Sequence, residues 1–210
     1  MKCLIVSGGN VPSKELILKH KKRDLIIGAD KGASSLIGCG IIPHVLIGDF
    51  DSLSYDKVEM LQDKGCKIIK YKSEKDFTDT EASLNYAINA LCDDVVILGA
   101  AGTRLDHTLA NINLLGIPFE KGVKCVIEDE NNLMFLSKSP VHLKKDNKKY
   151  FSIFSYSEET IGLNITGAKY ELKNHTINKN STLTISNEFI SDTVKIDFDL
   201  GIILIILSND

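Results

Sequence analysis

The feature that most constrains the fold is a change of hydrophobic period part-way along the chain. Up to residue 128, short apolar runs alternate with stretches whose apolar residues recur at helical spacing. The runs are residues 3–6, 25–29, 45–47, 67–71, 95–99 and 123–127. Most are apolar throughout, as strands buried on both faces must be. With helical segments between them, they predict a parallel α/β sheet covered on both sides. Beyond residue 128 the helical spacing disappears. Residues 150–154, 163–166, 183–186 and 194–198 alternate with period two, and turn residues separate them. That pattern predicts an antiparallel β-sandwich, jelly-roll-like, after the α/β part. The expected domains are therefore 1–128 and 129–210, with the lysine-rich residues 144–149 as a solvated hairpin turn.

Two helix starts are written in side chains. Ser13 follows Pro12 and fits an N-cap. Thr78-Asp79-Thr80-Glu81 fits a capping box, with Leu84, Ile88 and Leu91 as the apolar face behind it. A further helix is expected to bear Leu109, Ile112 and Leu115.

Charge and cysteine usage narrow the function. A net charge of −3 argues against nucleic-acid binding, which favours a basic surplus. The five cysteines form no C-x-x-C pair, so neither a zinc site nor a dithiol motif is expected. Cys3 and Cys125 lie in strand-like runs and read as small core residues. The start of the chain lacks a signal-peptide pattern, and the apolar run 202–207 is too short to span a bilayer. A cytoplasmic protein with no membrane partner is the expectation.

The chemistry gathers where strands end, the edge at which open parallel sheets bind ligands. Gly8, Gly9 and Asn10 follow the first run, and Asp30, Lys31 and Gly32 the second. Asp49, Asp51 and Ser52 follow the third; Asp76, Thr78 and Asp79 the fourth; Gly102, Thr103, Arg104, Asp106 and His107 the fifth. In an extended segment Asp49 and Asp51 face one spot while Phe50 turns to the core. Two carboxylates that close need a proton or a cation between them, and Mg²⁺ suits such a pair beside phosphate. The alternative is that Asp51 or Ser52 only caps a helix. Gly8, Gly9, Gly99 and Gly102 let backbone approach an anion and offer it N–H groups. Neither a P-loop nor a dinucleotide fingerprint is present. Lys31 and Arg104 suit phosphate, though Arg104 could instead pair with Asp106. Asp76 and Asp79 share one side of a first helical turn, where the helix dipole alone could favour them. His107 could accept a proton or simply pack.

Together, Gly28-Ala29-Asp30-Lys31-Gly32-Ala33, Gly48-Asp49-Phe50-Asp51-Ser52, Asp76-Phe77-Thr78-Asp79-Thr80-Glu81 and Gly102-Thr103-Arg104-Leu105-Asp106-His107 resemble the thiamine pyrophosphokinase family in order and spacing. The likeness continues, more weakly, into Gly167-Ala168-Lys169-Tyr170 and Ser186-Asn187-Glu188. The resemblance implies an α/β catalytic domain that binds ATP and Mg²⁺, a β-sandwich that binds thiamine, and a homodimer. It implies diphosphoryl transfer from ATP to the hydroxyl of thiamine, with release of AMP. Carried over by position, Asp49, Asp51 and Asp79 are the implied Mg²⁺ ligands. Asp76, Arg104 and Asp106 join them in the catalytic set. Asp30, Lys31, Ser52, Thr78, Thr103, Arg104 and His107 face ATP; Ser186 and Asn187, with Asp76 and Asp79, face thiamine. The chain has no Trp to stack on thiamine's rings, which leaves Tyr170 and Phe189 as candidates. The same transfer to a pterin alcohol, and a non-catalytic nucleotide or thiamine sensor, are the rival readings.

Overall fold

The computed structural model describes residues 1–51 and 53–210. The chain divides into two compact units, Met1–Glu130 and Asn131–Asp210.

In the first unit six parallel strands lie side by side. They are β1 (Lys2–Val6), β2 (Leu25–Ala29), β3 (Val45–Gly48), β4 (Lys67–Lys70), β5 (Asp94–Leu98) and β6 (Lys124–Glu128). Their order is β6-β5-β1-β2-β3-β4. Helices α1 (Lys14–His20), α2 (Gly32–Gly38), α3 (Tyr55–Asp63), α4 (Asp79–Asn89), α5 (Leu105–Asn113) and α6 (Gly116–Glu120) connect them. The alternating pattern had to give this architecture, because β1, β2, β3 and β5 are buried almost without interruption. At the sheet edge, β4 exposes a lysine at each end, which discourages further strand pairing. The chain runs outward from β1 to β4, then returns to place β5 on the other side of β1. The crevice beyond the ends of β1 and β5 is thus a topological switch point, where open α/β sheets bind ligands.

Both caps form. Ser13 Oγ accepts from Leu16 N at 3.2 Å, and Thr78 Oγ1 from Glu81 N at 3.1 Å. The face of α4 differs from the expectation at Leu91, which is 83% exposed. The helix stops at Asn89, and Leu91 takes a left-handed φ of 62° as its N–H closes onto Ile88 O. Small residues (Thr80, Ala82, Ser83, Ala87) are buried with Leu84 instead. The α5 face differs too. Leu109 is exposed, while Leu115 lies beyond the helix and is buried. Cys3 and Cys125 are buried as core residues, and all five cysteines are free.

The second unit is a sandwich of two antiparallel sheets. One has the order β12-β9-β14-β7, from β7 (Asn132–Ser137), β9 (Tyr150–Ser155), β12 (Asn187–Glu188) and β14 (Ile203–Ser208). The other is β11-β10-β13-β8, from β8 (Val141–Lys144), β10 (Glu159–Thr166), β11 (Leu172–Asn178) and β13 (Thr193–Asp197). Phe151, Ile153, Ile203 and Ile205 of the first meet Leu163, Ile165, Val194 and Ile196 of the second in one core. The α/β-plus-sandwich class is therefore as expected. Two local expectations fail. Residues 183–186 form a turn, held where Thr184 exchanges hydrogen bonds with Ile153. Residues 144–149 cross from one sheet to the other rather than closing a hairpin, and Lys148 is buried. Among the described residues, no helix is long and apolar enough to cross a membrane.

Candidate active site

A cavity of about 560 Å³ opens at the β1/β5 switch point. Its floor is glycine because two loops touch there. A Cβ on Gly9 would lie 2.4 Å from Ala101 O and 2.5 Å from Gly99 O. The same packing uses two of the N–H groups expected to face an anion. Gly9 N donates to Gly99 O at 2.8 Å, and Gly102 N to Thr108 Oγ1 at 3.1 Å. Gly9 therefore serves contact between the two loops, and Gly102 ties its loop to the start of α5.

Around that floor stand Asp30 and Lys31 from the end of β2, Thr78 and Asp79 from the start of α4, and Thr103, Arg104 and His107 from the start of α5. Thr80 Oγ1 donates to Ser7 Oγ at 3.0 Å in a buried contact, which pins the start of α4 to the end of β1. Asn111 donates to Ala100 O at 2.7 Å and anchors α5 beside the β5 loop. Asp49, Asp51, Asp76 and Asp106 do not line this cavity, and Ser52 lies outside the described residues.

The segment after β3 is a turn rather than the extended stretch expected. Phe50 has a left-handed φ of 67° and buries its ring. Asp51 N donates to Asp49 Oδ1 at 3.2 Å, so the Asp side chain shapes its own turn. A bulky residue is strained at that φ, and burial of its ring in the α2–α3 core offsets the cost. Asp51 Oδ2 accepts from Ser73 Oγ at 3.2 Å. The Asp51 N–H, aided by Ser73 and Lys75, holds the Asp49 carboxyl below the usual carboxylate range.

Asp79 goes the other way. Burial pushes its carboxyl up, Lys75 opposes this, and Asp49 and Asp30 add to the rise. Lys75 Nζ lies 3.1 Å from Asp79 Oδ1, yet that buried oxygen has no aligned hydrogen-bond donor among the described residues. Lys75 also lines the cavity, and nothing in the local sequence pattern marked it. Arg104 makes the alternative contact considered for it, a two-bond pair with Asp106 at 2.6 and 3.2 Å; both side chains are exposed. Among the described residues, no three His, Cys, Asp or Glu side chains come together as a metal cage. Mg²⁺ requires none, because it keeps several waters and takes one or two carboxylates beside phosphate oxygens. The oxygen donors of Asp49 and Asp79, one of them unpartnered, fit such an ion.

The second unit has a smaller cavity of about 140 Å³, lined by Tyr170, Leu183, Ile185 and Asn187 among others. The Asn187 amide grips the Tyr170 backbone at both ends: Nδ2 donates to Tyr170 O at 2.7 Å, and Oδ1 accepts from Tyr170 N at 3.0 Å. Ser186 has a left-handed φ of 55°, and its N–H donates to Ser152 Oγ. Phe189 is a core residue, 5.1 Å from the Phe151 ring, so it offers no face to a ligand. Tyr170 is 59% exposed.

A family model described as the thiamin pyrophosphokinase catalytic domain matches residues 17–127, more than half of the chain. The chain belongs to the thiamine pyrophosphokinase family. A second model, the thiamin pyrophosphokinase vitamin B1 binding domain, matches residues 138–203. The thiamine pyrophosphokinase of Bacillus subtilis is 37% identical over 188 residues, covering 89% of this chain and 88% of the relative. The crystal structure of the thiamine pyrophosphokinase from Bacillus subtilis aligns over 100% of both chains, with a TM-score of 0.91 at 33% identity. That from Geobacillus thermodenitrificans gives 0.87 at 31% identity, over 100% of this chain and 98% of its own. Membership of this thiamine pyrophosphokinase family makes the chain an enzyme.

Proposed function

We propose that the chain transfers a diphosphoryl group from ATP to the hydroxyethyl oxygen of thiamine. The observation that carries this reading is the polar switch-point cavity, where cationic Lys31 and Arg104 stand with the half-buried carboxylate of Asp79, whose Oδ1 has no aligned hydrogen bond among the described residues. The hydroxyl oxygen bonds to the β-phosphorus and gives up its proton to a base in the cavity wall, an aspartate or His107. The bond between that phosphorus and the oxygen bridging to the α-phosphorus breaks, and AMP leaves with the bridging oxygen. Lys31 and Arg104 hold phosphoryl oxygens, with Arg104 exchanging its exposed Asp106 partner for the nucleotide. Thr78, Thr103 and His107 line the same wall and orient the chain of phosphates. Asp49 and Asp79, with Asp51 braced by Ser73, would hold Mg²⁺, which supplies charge neutralisation along the triphosphate. Catalysis of this kind is mainly positioning and electrostatics.

In this reading the second unit receives thiamine. The exposed Tyr170 ring offers an aromatic face to its rings and its cationic thiazolium. Asn187, whose amide is spent on the Tyr170 backbone, acts by fixing that ring's position. A homodimer that shares its sites belongs to the same reading, as does a cytoplasmic location where the five thiols stay reduced. The test is direct: mix the protein with ATP, Mg²⁺ and thiamine, and separate the products. AMP and thiamine diphosphate are expected in equal amounts. ADP with thiamine monophosphate, or turnover of a pterin alcohol in place of thiamine, would refute the reading.

A further inference from the structure

Lys75 stands in the loop between β4 and α4, a place where a lysine usually reaches for water. Here its side chain is only 11% exposed, less than the 23% of Asp79 beside it. The ammonium lies 3.1 Å from Asp79 Oδ1 and donates to Lys72 O at 3.3 Å, so the loop's own backbone steadies it. Its approach to Asp79 supplies charge but not direction, since Oδ1 is left without an aligned hydrogen bond. A good structural ion pair satisfies both. This one neutralises a half-buried carboxylate without an aligned hydrogen bond to its buried Oδ1, which suits a partner that must be given up.

We propose that Lys75 is a resident counter-ion, seated on Asp79 while the cavity is empty and transferred to the nucleotide's phosphates when a divalent cation takes its place. The inference rests on reading Asp79 as a metal carboxylate. Two conditions make the exchange work. Asp79 and Lys75 line the same cavity, so the freed ammonium stays within reach of a bound triphosphate. Charge balance is also kept on both sides of the exchange: before it, lysine faces carboxylate; after it, metal faces carboxylate and lysine faces phosphate. Lys75 thus competes with a metal alone but cooperates with a metal bound to nucleotide.

That opposition supplies the test. Mn²⁺ binding to the intact protein without nucleotide is followed by its electron paramagnetic resonance signal. Binding of α,β-methylene-ATP with Mn²⁺ is followed by calorimetry. Lys75→Gln should tighten Mn²⁺ alone by roughly tenfold and weaken the metal–nucleotide complex by a similar factor, a typical size for coupling between sites. A merely structural lysine would move both affinities the same way or neither. Lys75→Arg keeps the charge and can grip Asp79 through two bonds, so it should weaken Mn²⁺ alone; this arm stands even if the Gln variant folds poorly. Unchanged or weaker Mn²⁺ binding in folded Lys75→Gln, or tighter binding in Lys75→Arg, overturns the proposal. Asp79→Asn separates the two ideas. If Mn²⁺ binding ignores Asp79, the metal reading fails; if it depends on Asp79 but not on Lys75, only the counter-ion fails.

Discussion

At the scale of single residues, the site places two aspartates in opposite environments. Asp51 is exposed and braced by one serine; Asp79 is half-buried, and its carboxyl is pushed up by burial despite the nearby ammonium. The net direction at Asp79 says that desolvation, together with repulsion from Asp49 and Asp30, outweighs the pull of Lys75, so the folded chain bears a cost for keeping that carboxylate charged. Neutral isosteres therefore separate function from stability. Asp51→Asn and Asp79→Asn should each lower kcat/KM by about 100-fold or more if both carboxylates serve the phosphate chemistry. Thermal unfolding should be unmoved for Asp51→Asn, and unmoved or shifted upward for Asp79→Asn. A large drop in melting temperature for Asp79→Asn would mean that its ion pair matters more to the fold than its burial costs. Near-normal turnover in either variant would remove that residue from the chemistry.

At the scale of elements, the first unit is closed by a contact that no local pattern announces. Glu128 ends β6 and is buried, while Lys19 and His20 end α1. Lys19 Nζ reaches Glu128 Oε1 at 2.6 Å, and His20 Nε2 meets Oε2 at 2.9 Å. Burial raises the Glu128 carboxyl, but hydrogen bonds from His20 and Lys19 together overcome it and bring it down to about 2 from 4.5. Because the folded value lies below the unfolded one, the stabilisation is present above pH 4.5 and fades as pH falls towards 2. Glu128→Gln should cost about 2 kcal/mol at neutral pH, with the gap to wild type closing in acid. Urea titrations at a series of pH values would show this, and a constant gap down to pH 3 would contradict it. The contact also marks what a sequence hides. The caps at Ser13 and Thr78 were legible because a side chain and its backbone partner sit within one turn. Glu128 and Lys19 are 109 residues apart, and only the sheet order brings them together. Lys75 was hidden differently: its partner Asp79 is only four residues on, but Lys75 lies in a loop before α4, where helical spacing does not say which side chains meet. Residues 183–186 misled because a period-two pattern does not say whether a partner strand is there to pair with. The strand-end clustering was legible, but the β1/β5 crevice needed the strand order that the chain's return past β1 creates.

At the scale of the whole molecule, the open question is what covers α5. Asn111 ties one side of this helix to Ala100, while Leu105 and Leu109 stand on another side with 79% and 61% of their surface exposed. Four residues apart, they form one apolar face, and large side chains grouped this way favour contact over water. The start of the same helix contributes Arg104 and His107 to the cavity. A second copy resting on this face would bring its own residues next to the phosphate site, as a shared-site homodimer requires. Light scattering on the purified chain should then give the mass of a dimer. Replacing Leu105 and Leu109 together with glutamate should weaken the dimer by at least ~100-fold, since apolar anchors at an interface centre carry most of its energy. Melting of the monomer should change little, because neither side chain is part of a core. Turnover should fall with dimer mass as the double variant is diluted, and recover as its concentration is raised. A wild-type chain that is monomeric yet fully active would sink both the interface and the shared site. A double variant that stays dimeric would move the interface elsewhere and leave the α5 face without a role in assembly.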